Sequence, residues 1–250
     1  MRTLRSNKKI ALNTRQSILP LEAVVIAGGR GTRLRPHTDT VPKPLLPLAG
    51  KPIVAHTFDR LAKYGVKHVH LSVGYLADQF EEAFGNGESS GLKISYIRED
   101  SPLGTFGPIA KIDDFKEEVV LVMNADLLTN IDLGAMMAAF LAQEADMMVA
   151  SIPYEVPVPY AILETEGDKI TGFAEKPTYT YYANAGIYLI KRQLLSLVPS
   201  EQAYHATDLM RELIDTEYTV GHFAIQDYWL DIGTPEDYEK AQRDIPHIEF

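Results

Sequence analysis

Residues 23–35 read AVVIAGGRGTRLR, in which an apolar run passes directly into a turn of glycine and arginine. The apolar residues 23–27 predict a strand that is buried on both faces, as in a parallel sheet. Gly28, Gly29 and Gly31 allow backbone angles and close approaches that larger side chains block. We therefore expect a ligand to lie against the backbone of this turn.

The glycine turn, residues 28–35, has the chemistry of a phosphate-binding loop. Its backbone amides can donate hydrogen bonds to phosphate oxygens, and arginine side chains add permanent positive charge. Two familiar phosphate motifs do not fit this turn. The Walker pattern ends in Gly-Lys-Ser/Thr, and the dinucleotide fingerprint needs a third glycine where Leu34 stands. The arginines in the turn are Arg30, Arg33 and Arg35.

Strand-like and helix-like patterns alternate around this turn through the first 150 residues. Strands are predicted at 66–74, 92–97, 119–123 and 147–152, and helices at 53–65, 76–85 and 132–145. Strands separated by helices of this size indicate βαβ units with right-handed crossovers. The sequence therefore predicts an α/β fold with a doubly wound, mostly parallel sheet.

The pattern changes after residue 152. Two strands joined by a turn and a further strand predict an inserted β region at about 153–185. The chain then returns to α/β form, and its last helix begins at Thr234 as N-cap. The Pro-rich loop, residues 36–52, is predicted to be a long ordered loop or a lid. We expect a single domain over residues 21–250.

Composition limits the classes of function. The formal net charge of -10 argues against general nucleic-acid binding, although residues 1–20 are basic and are expected to form a flexible leader. The absence of cysteine excludes disulfides, thiolate zinc sites and a catalytic cysteine. The apolar stretches are too short to span a membrane, and the leader lacks the apolar centre of a signal peptide. We therefore expect a soluble cytoplasmic protein that binds neither nucleic acid nor membrane.

Three residues outside the glycine turn carry separate expectations. Asp132 precedes a predicted helix and is expected to be its N-cap. His68 and His70 alternate on a predicted strand, a spacing more typical of solvent-facing histidines than of metal ligands. We therefore expect both imidazoles to face solvent.

Several ordered segments between residues 21 and 244 resemble the sugar-1-phosphate nucleotidylyltransferase family. They read AGGRGTRLRPHTDTVPKPLLPLAGKPI (27–53), SPLGTFGPI (101–109), MNADLLTN (123–130), FAEKP (173–177), NAGIYLI (184–190) and YWLDIGTPEDY (228–238). The resemblance implies a Rossmann-like nucleotidyltransferase fold. It also implies a reaction in which a nucleoside triphosphate and a sugar 1-phosphate give a nucleotide-sugar and pyrophosphate.

The resemblance implies catalytic roles for five residues. Asp126 and Asp231 are implied to be ligands of Mg²⁺, and two carboxylates with waters and substrate phosphates make a normal magnesium site. Arg33 and Lys43 are implied to contact the triphosphate, and Lys176 to reach the sugar phosphate. Lys43 also lies between two prolines, which restrict the backbone around it.

The remaining implied contacts divide between the two substrates. The nucleotide is expected at Ala27, Gly28, Gly29, Gly31, Thr32, Arg33, Gln79, Gly104 and Thr105. The sugar phosphate is expected at Tyr160, Ala161, Glu175, Lys176 and Asn184. Two segments depart from the family pattern: Phe106 and Pro108 replace the small residues often found after Leu-Gly-Thr, and Ala161 stands where glycine is usual.

The resemblance leaves several functions open. The segments look most like bacterial enzymes that use GTP with heptose, mannose or amino-sugar 1-phosphates. Alternatives are thymidylyl or uridylyl transfer to glucose 1-phosphate, and a phosphocholine cytidylyltransferase. A non-catalytic nucleotide-sugar-binding regulatory protein is an alternative of another class. Assembly into a homodimer or homo-oligomer stays open, as does an upstream module once joined to the leader.

Overall fold

The computed structural model describes residues 22–200 and 202–249, so the predicted leader lies outside the described residues. The strands are β1 (Glu22–Ile26), β2 (Pro47–Leu48), β3 (Lys51–Pro52), β4 (His68–Val73), β5 (Lys93–Arg98), β6 (Val119–Asn124), β7 (Leu127–Thr129), β8 (Met147–Pro157), β9 (Ile162–Glu166), β10 (Lys169–Ala174), β11 (Thr178–Lys191), β12 (Val220–Ala224) and β13 (Trp229–Asp231). The helices are α1 (Ile53–Lys63), α2 (Ala77–Phe84), α3 (Leu133–Ala142), α4 (Ala206–Asp215) and α5 (Pro235–Asp244). No helix in these ranges has both the length and the apolar character needed to cross a membrane.

Seven strands form one sheet in the order β12-β8-β11-β6-β1-β4-β5. Strands β6, β1, β4 and β5 pair in parallel, and so do β8 and β12. Only β11 runs antiparallel within the described sheet, between β6 and β8. The predicted α/β fold with a doubly wound, mostly parallel sheet is therefore confirmed.

The central strand β1 is covered on both faces. Ala23 and Val25 pack into a cluster with Phe58 of α1, on the face that also carries α2 and α3. Val24 points the other way, into a cluster with Leu209 of α4. Each large apolar side chain buried in this way contributes about 1.5–3 kcal/mol to stability. The strand is thus held firmly, and the glycine turn leaves the sheet at its carboxyl end.

Strands β8 and β11 continue past the sheet as an antiparallel pair. Together with the segment between them they form the arm, residues 152–184. Their antiparallel pairing reaches Thr178 opposite Pro157, and its register shifts between Asn184 and Tyr188. The hairpin of β9 and β10 completes the arm. These strands are the inserted β region, and most of their side chains are exposed.

The Pro-rich loop is ordered and packed against the end of the chain. Residues 43–45 form a 3₁₀ turn, and β2 pairs with β3. Leu46 and Leu48 are buried in a cluster with Ile232 and with Ala241 of α5. Because this cluster anchors the Pro-rich loop, the loop is held in one position beside the glycine turn.

The expectations for Asp132 and for the two histidines had opposite outcomes. Asp132 is the N-cap of α3, since its Oδ1 accepts a hydrogen bond from the Ala135 amide at 2.9 Å. The solvent-facing prediction for the histidines was wrong. His70 is only 4% exposed, because its ring packs edge-on against Phe115, and the side chain of His68 is 16% exposed.

Candidate active site

The glycine turn and the loop after β6 lie together at one edge of the sheet. Strands β1 and β6 are parallel, so both end at this edge, where open α/β sheets bind ligands. The Ala125 amide donates a hydrogen bond to the Ile26 carbonyl at 2.9 Å and holds the two loops side by side. Ala27 is buried, whereas Gly29 and Thr32 are exposed at the start of the cleft.

Asp126 and Asp231 are brought together by two short strands that the sequence patterns did not predict. Strands β7 and β13 pair antiparallel, which places Asp231 opposite Leu127. The Ile232 amide then donates to the Asp126 carbonyl at 3.1 Å. The two carboxylates therefore face one space, although they lie far apart in the sequence.

Lys43 lies between these two carboxylates. Its Nζ is 2.5 Å from Asp126 Oδ2 and 3.6 Å from Asp231 Oδ1, and its side chain is 8% exposed. Gly31 packs against the stem of Lys43, since a Cβ at Gly31 would lie 2.9 Å from the Lys43 Cβ. Gly31 also has a φ of 60°, in the left-handed region that favours glycine. Glycine at this position therefore both shapes the turn and admits the lysine.

The two carboxylates of this cluster repel each other. Burial raises the pKa of Asp231, and the neighbouring Asp126 raises it further, while Lys43 and Arg33 act in the opposite direction. The Arg33 guanidinium lies next to Gly233, close to the Asp231 carboxylate. Because the neighbouring Asp126 still raises the pKa of Asp231 with Lys43 and Arg33 beside it, a bound cation would stabilise the two carboxylates.

The carboxylates fit a hard divalent cation. Asp231 Oδ1 is buried and has no hydrogen-bond partner within residues 22–200 and 202–249. Magnesium takes one or two carboxylates and completes its shell with waters and substrate phosphates. Asp126 and Asp231 supply oxygens of this kind on the side of the cleft that borders the glycine turn.

Glu99 is a residue of the site that the sequence analysis missed. Its Oε2 accepts a hydrogen bond from the Leu103 amide at 3.1 Å, and its Oε1 accepts one from the Ser72 hydroxyl. A Cβ at Gly28 would collide with this carboxylate, so the acid lies directly against the glycine turn. Its signal in the sequence is an acid placed directly after a strand, β5, at the ligand-binding edge of the sheet.

Of the predicted base contacts, Gly104 and Thr105 lie on the loop after β5, and Gln79 lies on α2. Gly104 has a left-handed φ of 74°, and Thr105 Oγ1 accepts a hydrogen bond from the Ala206 amide at 2.9 Å. Gln79 Nε2 donates to the Thr40 carbonyl at 2.9 Å and so ties α2 to the Pro-rich loop. Thr105 and Gln79 thus hold the walls of the cleft in place.

The predicted sugar-side residues lie on the arm. Tyr160 is 74% exposed, and Ala161 beside it is exposed in the connection from β8 to β9. Glu175 and Lys176 are exposed between β10 and β11, and Lys176 has an unusual φ of 44° for a residue with a side chain. Asn184 Oδ1 accepts a hydrogen bond from the Gly186 amide at 2.9 Å.

The arm is joined to the carboxylate cluster at its base. A Cβ at Gly186 would lie 2.6 Å from Asn124 Nδ2, so β11 passes close to the loop that carries Asp126. Within the described ranges, no ion pair involves Lys176. The structure therefore brings Arg33, Lys43, Asp126 and Asp231 together and leaves Lys176 on a separate element.

Comparison with known proteins gives a consistent match. The model of the nucleotidyl transferase family matches residues 22–247. A mannose-1-phosphate guanylyltransferase of Mycobacterium tuberculosis is 34% identical over 231 residues, which cover 90% of this chain and 64% of that protein. A D-glycero-alpha-D-manno-heptose 1-phosphate guanylyltransferase of Aneurinibacillus thermoaerophilus is 32% identical, with 91% and 99% covered.

A solved structure has the same fold. HddC from Yersinia pseudotuberculosis, complexed with GMP-PN, superposes with a TM-score of 0.69 at 26% identity, over 90% of this chain and 99% of that one. The chain thus spans less than two thirds of the mycobacterial relative and nearly the full length of the other two proteins.

Proposed function

This chain belongs to the nucleotidyl transferase family, and from that membership we propose that it transfers a nucleoside monophosphate from a nucleoside triphosphate to a sugar 1-phosphate. The cluster of Lys43, Asp126 and Asp231 beside the glycine turn carries the proposal. Relatives named as guanylyltransferases favour GTP with a mannose or heptose 1-phosphate, and an amino-sugar 1-phosphate stays open from the family resemblance. Thymidylyl or uridylyl transfer to glucose 1-phosphate is the alternative, and a relative named as a uridylyltransferase keeps it open.

The proposed chemistry is an in-line displacement at the α-phosphorus. An oxygen of the sugar phosphate attacks, the new phosphate–phosphate bond forms, and pyrophosphate leaves. The attacking oxygen is already an anion, so the protein needs no strong general base and acts by positioning and charge neutralisation. The amides of the glycine turn would bind the triphosphate, Arg33 and Lys43 would neutralise it, and Lys176 would orient the sugar phosphate.

Asp126 and Asp231 would hold the metal ion, which we propose to be Mg²⁺. Asp231 Oδ1 has no hydrogen-bond partner among the described residues, and this and the repulsion between the two carboxylates support the assignment. When bound, the ion would supply positive charge next to the reacting phosphates. The two aspartates fix its place relative to Lys43.

A substrate panel tests the proposal. Pyrophosphate release is measured with magnesium for GTP, UTP, TTP, CTP and ATP, each against a set of sugar 1-phosphates and phosphocholine. We expect release with GTP and a mannose- or heptose-type 1-phosphate. Nucleotide binding without release from any pair would overturn the catalytic proposal and favour a regulatory nucleotide-binding protein.

The position of Glu99 gives a physical reason for a preference for guanine as the base. The carboxylate borders the glycine turn and lines a surface pocket with Gly28, Gly74 and Tyr75. Guanine presents two adjacent N–H donors, which pair with a carboxylate because it only accepts hydrogen bonds. Uracil and thymine present one N–H between two carbonyls, and those carbonyls would be repelled by Glu99.

We expect Glu99→Gln to lower the preference for GTP over UTP by about tenfold or more, the effect of one good paired contact. A glutamine amide keeps one acceptor for the Leu103 amide and gains donors that suit a uracil carbonyl. The measurement is kcat/KM for both nucleotides. Glu82→Gln, the same change at an exposed position on α2, is the control and should leave the ratio unchanged. An unaltered ratio in Glu99→Gln would remove this residue from base selection.

Lys176→Ala is expected to raise KM for the sugar 1-phosphate by about tenfold or more, the scale of one charge-assisted contact. The side chain is exposed and its left-handed backbone is typical of functional loops, so truncation should leave the fold intact. Steady-state kinetics with each substrate varied in turn measure the effect. Lys169→Ala, on exposed β10 of the same arm, is the matched control. A sugar-phosphate KM equal to that of the control would refute the assignment.

The setting of the enzyme is part of the proposal. A cytoplasmic location is expected, because nucleoside triphosphates are made and kept inside the cell. The proposed partners are the two substrates, with neither nucleic acid nor membrane among them. A homodimer or homo-oligomer remains an open prediction.

A further inference from the structure

A second cluster of metal-ligating side chains lies at the opposite end of β1. Glu22 pairs with His68 across the parallel β1–β4 ladder, and His70 lies two residues further along β4. Side chains two residues apart on a strand share one face of the sheet. One ligand atom from each of Glu22, His68 and His70 lies within 4.8 Å of those of the other two.

Two of the three side chains are held in position by partners outside the cluster. Glu22 Oε2 accepts a hydrogen bond from the Lys116 amide at 2.6 Å, which leaves Oε1 at 3.5 Å from His68 Nδ1. His68 Nε2 is 2.8 Å from Ser95 Oγ. Metal ligands are commonly oriented by hydrogen bonds of this kind on the atom that does not bind the ion.

His70 is the most deeply buried member of the cluster. It is 4% exposed, and its Nε2 has no hydrogen-bond partner in the described part of the chain. A buried polar atom without a partner costs free energy that an apolar residue would not, so it requires an explanation.

We propose that Glu22, His68 and His70 bind a zinc ion or a similar divalent transition metal. Two imidazoles and one carboxylate are a normal protein ligand set for such ions. Ligand atoms around tetrahedral zinc lie roughly 3.3 Å apart, as bond lengths of about 2.0–2.2 Å require, and the Glu22–His68 pair already has this separation. Water would fill the fourth position from the side on which His68 is partly exposed.

This site is separate from the proposed catalytic centre. Glu22 begins β1 and Ile26 ends it, roughly 13 Å away at about 3.3 Å per residue, and the glycine turn begins beyond that end. Magnesium prefers oxygen ligands, so the two sites should differ in the ion that they take. An ion bound here would join β1, β4 and residues 116–117, and would stabilise the fold rather than react with substrate.

Zinc retention by the wild-type protein is the first test. The protein is stripped with a chelator, incubated with zinc in excess magnesium to occupy the carboxylate site, and dialysed. We expect about one zinc per chain to remain, and the melting temperature to rise by about 5–10 °C at zinc concentrations of one hundred times Kd. No retained zinc and no shift in melting temperature would overturn the proposal.

Variants locate the ion. His68→Ala, at the partly exposed position, should abolish retention, and Ser95→Ala should weaken binding about tenfold by freeing the His68 ring. His247→Ala removes an exposed histidine elsewhere and should retain zinc like the wild type. Asp231→Asn should also retain it, which separates this site from the carboxylate pair. Retention in His68→Ala equal to wild type would refute the assignment, whatever the activity of the enzyme.

Discussion

Replacing either Asp126 or Asp231 by asparagine is expected to lower kcat by at least about 100-fold, the scale for losing one preorganised charge contact. Each change removes one of the two carboxylates that would hold the metal ion beside the phosphates. The fold should survive, because Lys43 contacts both acids and keeps one charged partner in either variant. Pyrophosphate release over a range of magnesium concentrations measures the loss, and melting temperature reports the fold.

The matched control for the aspartate variants is Asp132→Asn. Asp132 lies shortly after β7, but its side chain caps α3 and lies outside the carboxylate cluster. Asparagine caps a helix as well as aspartate does. Its turnover and melting temperature should equal those of the wild type. Near-normal turnover in Asp126→Asn or Asp231→Asn would remove that residue from the metal site.

Lys43→Met is expected to lower kcat/KM by about 100- to 1000-fold, again the scale for one charged contact in the transition state. Methionine fills the buried channel along Gly31 but brings no charge to the triphosphate. It also leaves two neighbouring carboxylates without their shared cation, so the melting temperature should fall in the absence of magnesium and recover when magnesium is added.

Two further variants separate charge from packing at Lys43. Lys51→Met alters a lysine of the same loop whose pair with Asp59 is largely exposed, so it should change neither rate nor stability measurably. Lys43→Arg keeps the charge on a bulkier, planar group and should recover part of the lost rate. Full activity in Lys43→Met would show that the triphosphate is neutralised by other groups.

The sheet could be predicted from sequence because its elements have long periodic patterns. Residues 23–26 of β1 are a continuous apolar run, and α1 repeats Val54, Phe58 and Leu61 on one buried face. The ladder of β7 and β13 could not be predicted in this way. Each of these strands has three residues, which is too short for a periodic pattern. The two strands also pair only after distant parts of the chain meet, as Thr129 and Tyr228 do across 99 positions.

In the candidate site, too, some features could be predicted from the sequence and others could not. The family resemblance supplied Lys43, Asp126 and Asp231, and the structure added the contacts that join them. Glu99 was missed and His70 was wrongly expected to face solvent, because the environment of each side chain depends on a residue that is distant in the sequence. The position of the Glu99 carboxylate depends on Gly28, and the burial of His70 depends on Phe115, and neither neighbour can be identified from local spacing.

The ladder of β7 and β13 also has a consequence for the order of events during protein synthesis. Lys43 and Asp126 are 83 positions apart, whereas the bond between the Tyr238 hydroxyl and the Pro47 carbonyl spans 191. Contacts of such long range form late, because the ribosome delivers the N-terminal partner long before the C-terminal one. A nascent chain that has just completed α4 contains most of the sheet but lacks Asp231. The emerging protein would therefore acquire most of its fold before the proposed pair of metal-binding carboxylates is complete.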